Sequence, residues 1–98
     1  MEQANGDEKM TRGEILDLAK SYVVKDRADT HGDMENNFET IAAYWGYHLD
    51  MHLEATDVAV MMNLLKCARI KSNVKHPDNW VDAAGYMACG GEIAAKIK

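Results

Sequence analysis

The chain has 98 residues, with 11 Lys and Arg against 16 Asp and Glu, for a formal charge of −5. That length makes one domain with a small core, hiding only roughly 60–65% of its unfolded surface. The acidic balance excludes a general nucleic-acid binder, which needs clustered Lys and Arg to neutralise phosphate. No apolar run approaches the roughly 20 residues that cross a bilayer, so no membrane is expected.

Residues 1–10 are polar and include Asn5-Gly6, which predicts a disordered tail before a single helical domain over 11–98. The opening residues lack the apolar stretch of a signal peptide, so the chain reads as cytoplasmic. Cys67 and Cys89 have neither zinc-motif nor disulfide-framework spacing and are expected to be buried free thiols.

A first helix starts at Thr11, a capping residue with Glu14 three positions on, as in a capping box. Ile15, Leu18, Ala19, Tyr22 and Val23 give it an apolar face. It is expected to end near Arg27, before the breakers around His31-Gly32-Asp33. A second helix fits 34–49, where Phe38, Ile41, Trp45 and Leu49 recur at helical spacing. Gly46 within it points to close approach of a neighbouring helix.

Thr56 is a suitable N-cap for a third helix, with Asp57 in its first turn complementing the dipole. The run 58–70 is apolar except for Asn63, Lys66 and Arg69, which recur every third position and form a drifting stripe. In an apolar helix, such a lysine and arginine call for an anionic partner. Pro77, the only proline, marks the start of a fourth helix running to about Ile97. No segment alternates with period two, so the expected fold is all-α, a four-helix antiparallel bundle completed by oligomerisation.

Three groups of residues could do chemistry. Asp78 and Asp82 stand one turn apart on the fourth helix, a pair whose repulsion Mg²⁺ would relieve together with water and substrate phosphate. Glu35 and Glu39 form a matching pair on the second helix, and two such pairs on facing helices could enclose the cation. Lys66 and Arg69, with Asn63, suit a phosphate end, and Arg27 suits an anion or ribose contact. The plainer readings are an N-cap for Asp78, solvated acids at the helix start, and internal ion pairs for the cations. There is no P-loop, glycine-rich phosphate loop or G-x-S-x-G turn, which removes the usual kinase and hydrolase readings.

Several blocks form a recognisable combination: Asn37-Phe38-Glu39-Thr40-Ile41-Ala42, Trp45, Asp57-Val58-Ala59-Val60-Met61-Met62, Lys66-Cys67-Ala68-Arg69, and Asp78-Asn79-Trp80-Val81-Asp82-Ala83-Ala84-Gly85-Tyr86. The chain resembles, over about 23–88, a family of small proteins encoded by tailed phages and prophages. More distantly, it is similar to the all-α NTP pyrophosphohydrolases of the MazG type. That resemblance implies a MazG-like oligomeric bundle, a dimer or tetramer, that cleaves a nucleoside triphosphate to monophosphate and pyrophosphate. Glu39, Asp78 and Asp82 would be the catalytic metal carboxylates with Glu35 beside them, and Lys66 and Arg69 the phosphate contacts. MazG-type enzymes space their carboxylates as E-x-x-E and E-x-x-D on successive helices. Here both pairs are spaced by four, and the second lies one helix later. The alternative, from charge alone, is a non-enzymatic phage accessory protein. Such an acidic helical chain would occupy a host defence complex as an anti-CRISPR-type inhibitor or nucleic-acid mimic.

Overall fold

The computed structural model describes residues 9–26 and 33–98, and every regular element within these is helical. Helix α1 spans Arg12–Ser21 and runs into a π-helical turn, Tyr22–Asp26. Helices α2 (Met34–Leu49), α3 (Ala55–Ser72) and α4 (Pro77–Ala95) follow. Most of the expected tail lies outside the described residues.

Local chemistry sets each start. The Thr11 hydroxyl accepts from the Glu14 amide at 3.1 Å, and Glu14 Oε1 accepts from the Thr11 amide at 3.0 Å, completing the expected capping box. Asp33 caps α2 by accepting from the Asn36 amide at 3.2 Å. Helix α3 starts differently from expectation: its N-cap is Glu54, not Thr56, and the Glu54 amide donates to Asp57 Oδ2 at 2.8 Å. The Glu54/Asp57 pair is thus a helix-start device. Pro77 opens α4 as expected, its missing N–H costing nothing in the first turn. Asp78 lies in that turn, and the N-cap is His76.

The most extensive contact is between α3 and α4, with α1 against α4 and α2 against α3. Gly90 marks where α3 and α4 touch, since a Cβ there would lie 2.7 Å from that of Ala59. Residue 59 meets 90 and Lys66 meets Asp82, the register of an antiparallel hairpin. Gly46 is also a close approach, but to the chain's own next turn: an added Cβ would meet the Met51 carbonyl at 2.6 Å. The core is built of small residues around Phe38, Val58 and Val81, with Ala42, Ala59, Cys89 and Ile93. Cys89 is buried as expected; Cys67 is exposed. Trp80 is also partly exposed, and its indole N–H donates to the Val74 carbonyl at 2.9 Å, closing the α3–α4 loop.

Helix α3 differs most from the sequence reading. Its inner face is Val58, Ala59, Met62 and Lys66, while Val60, Met61, Leu64 and Leu65 are exposed. An apolar composition on every side had implied burial on every side. Among the described residues only one side is covered.

Candidate functional site: the charged seam between α3 and α4

Lys66 projects from the inner face of α3 and Asp82 from the facing side of α4. Lys66 Nζ lies 2.9 Å from Asp82 Oδ2, with the side chains only 12% and 19% exposed. Asp78, one turn earlier on α4, is 15% exposed, and its Oδ2 stands 3.7 Å from His76 Nε2. A desolvated ion pair gives back much of its attraction in lost hydration, so such a pair is weak evidence of stability alone. The three charged groups therefore share one narrow, partly dry seam.

A small apolar cavity of about 60 Å³ adjoins this seam. It is lined by Tyr22 and Val23 of the π-turn, Phe38 of α2, and Asp82, Gly85 and Tyr86 of α4. One buried water needs roughly 10–15 Å³ on this measure, so the space corresponds to a few water-sized bodies, about one ring system. Asp82 is thus shared between the ion pair and the cavity wall. Sequence reasoning missed both His76 beside Asp78 and this cavity. The x-Pro-Asp context at the start of α4 was a usable signal for the first, but nothing local marked the second, whose walls come from distant segments.

The other sequence candidates are distributed as follows. Asn63 is half-buried on α3, its side-chain amide donating to Cys67 Sγ at 3.9 Å. Arg69 is exposed, because three-residue steps rotate the Asn63–Lys66–Arg69 stripe by about 60° each and carry its last member out of the seam. Glu39 is exposed on α2, where it borders an open groove with Tyr47, Asp50 and Glu54. Glu35 accepts from Lys96 Nζ at 2.8 Å, pairing the start of α2 with the end of α4. Arg27 lies outside the described residues, as do His31 and Gly32 beside it.

Mg²⁺ uses one or two carboxylates and completes its octahedron with water and phosphate. Among the described residues no group of three or more His, Cys, Asp and Glu side chains is gathered for a metal ion. Lys96 occupies Glu35, and Lys66 occupies Asp82. Glu35, Glu39, Asp78 and Asp82 are therefore not gathered into one four-carboxylate centre within one chain. What the seam itself offers is a lysine paired to one carboxylate, with a second carboxylate one turn away and a small apolar recess beside them.

Comparison with known proteins agrees with the phage resemblance. The chain is 45% identical over 73 residues to the Gene 55 protein of Mycobacterium phage L5, covering 74% of this chain and 47% of that protein. It is 35% identical over 75 residues to the Gene 55 protein of Mycobacterium phage D29, covering 76% and 50%. The chain thus spans about half the length of the curated relatives it matches. No solved structure matches it. Residues 14–94, which take in all four helices almost entirely, match a single family model, and the chain belongs to that family, the domain of unknown function DUF6378.

Proposed function

We propose that this chain is a nucleotide-binding relative of the all-α NTP pyrophosphohydrolases, holding a nucleoside triphosphate at the α3–α4 seam. The observation that carries the reading is the Lys66–Asp82 pair at 2.9 Å, mostly withdrawn from solvent, with Asp78 one turn away. Lys66 is the phosphate contact, and the incoming anion competes with Asp82 for it. In this reading Asp82 and Asp78 are the acceptors for the attacking water, one turn apart on α4. The cavity beside Asp82 gives an apolar, aromatic-edged recess for part of the nucleotide. Cleavage to monophosphate and pyrophosphate is the reaction class that the resemblance implies.

The test is a panel of canonical and modified triphosphates with Mg²⁺, read by pyrophosphate release and by thermal shift. The expected result is turnover of at least one, lowered by about 100-fold or more in Asp82→Asn. Because Asp82 competes for Lys66, the same variant should bind nucleotide at least as tightly as wild type. Neither turnover nor shift with any nucleotide, in folded protein, ends the reading.

A second reading, a phage protein that acts by binding a host protein, draws on Tyr44 and Tyr47, both on α2 and the latter 91% exposed. Large exposed aromatics favour protein contacts. The nucleic-acid-mimic form of that reading is weakened because Asp78 and Asp82 are turned into the seam rather than displayed. A stable complex recovered with Tyr47→Ala-sensitive affinity would favour it.

A further inference from the structure

We infer that the outer face of α3 is a self-complementary surface on which a second copy of this chain docks, the two α3 helices antiparallel about Leu64. This goes beyond the nucleotide reading and does not depend on it. Asp57, Val60, Met61, Leu64, Ala68 and Lys71 are all exposed, with Leu64 at 59% and Val60 at 49%. Their spacing of three, four and seven sets them on one stripe, which drifts only about 20° per heptad. They lie opposite the buried Val58, Ala59 and Met62 side, so none of them contributes to the seam or the core.

Charge decides the occupant. The stripe has an acid at one end, a base at the other and apolar side chains between. Asp57 and Lys71 each stand seven residues from Leu64. A two-fold axis through Leu64 with the helices antiparallel therefore sets each Asp57 against the partner's Lys71 and Leu64 against its own counterpart. A surface that satisfies itself under a two-fold is what an isologous dimer requires. A parallel pairing would instead oppose like charges. The 18-residue helix is about 27 Å long, so the buried area is a few hundred Å² per copy, under the roughly 800 Å² of a standard interface. An interface of that size suits a reversible dimer rather than a permanent one.

Sedimentation equilibrium of the full chain from about 1 to about 200 µM tests this, over the range in which so small an interface dissociates. The expected result is a monomer–dimer equilibrium whose dissociation constant rises about 30-fold or more in Leu64→Glu, with helicity unchanged by circular dichroism. Lys71→Glu weakens association about fivefold to tenfold, and adding Asp57→Lys restores it to within about threefold. Should Asp57→Lys disturb the start of α3, Leu64→Cys in a Cys67→Ser background gives an independent reading. On oxidation it forms a disulfide-linked dimer, whereas Tyr47→Cys in the same background does not. A dimer insensitive to Leu64→Glu, or one that Leu64→Cys fails to link, overturns the proposal. So does a chain monomeric at the highest concentration, which would leave the stripe to a different protein. A chain that stays monomeric at about 200 µM yet turns over a nucleotide would overturn the dimer and leave the nucleotide reading standing.

Discussion

At the scale of single residues, the Lys66–Asp82 pair separates structural from functional burial. Removing only one partner leaves a charge in a seam that hides most of it. Asp82→Ala should therefore destabilise by about 1–3 kcal/mol, less than for a fully buried pair because both groups retain some water. Replacing both, as Lys66→Met with Asp82→Leu, should recover most of that loss or exceed it, as urea denaturation will show. If the double variant is as stable as wild type, the pair is not held for stability, which agrees with the nucleotide reading. Gly46 makes the opposite point. Gly46→Ala gains about 1 kcal/mol of helix propensity but drives a methyl to 2.6 Å from the Met51 carbonyl, a backbone atom that cannot turn aside. With overpacking at about 1–3 kcal/mol, the net effect should be a lower denaturation midpoint. From sequence, Gly46 signalled proximity correctly, but only coordinates showed that the neighbour is the turn after the helix.

At the scale of elements, helix starts were the most legible feature and helix faces the least. The Thr11/Glu14 box and Pro77 rest on local chemistry that the order of residues encodes directly. The start of α3 was misplaced by two residues because Thr56 is the better cap by type, while Glu54 gains the Asp57 carboxylate. The stripe Asn63–Lys66–Arg69 was read as drifting slowly enough to act as one group, and its rotation around α3 separates Arg69 from the seam. The capping box also sets a pH response. Hydrogen bonding to the Thr11 backbone and hydroxyl holds Glu14 below its ordinary 4.5. A lowered folded value means that this contribution is complete above 4.5 and disappears as pH falls through the folded value. Thr11→Ala should cost about 1 kcal/mol near neutrality, and its deficit relative to wild type should shrink in acid. Lys96, raised above its ordinary 10.5 by its hydrogen bond to Glu35, behaves inversely. Its contribution is intact below 10.5 and vanishes as pH climbs through the folded value.

At the scale of the whole molecule, the helical class and the phage family were both legible, because hydropathy period and residue blocks survive without coordinates. Convergence of the four carboxylates was not, since it depends on how α2 sits against α4, a contact too slight to bring Glu39 to the Asp78 pair. The cavity beside Asp82 was hidden for the same reason: three segments far apart in the chain make its walls. No helix among the described residues is long and apolar enough to cross a membrane. The near-contact of Gly90 with Ala59 has a further consequence. It draws α3 and α4 into the most extensively packed pair of helices, while α1 rests on α4 through a smaller contact. The pair Lys66 and Asp82 thus stands on the firmest part of the described structure, and the recess beside it borrows a wall from α1, which is held by less.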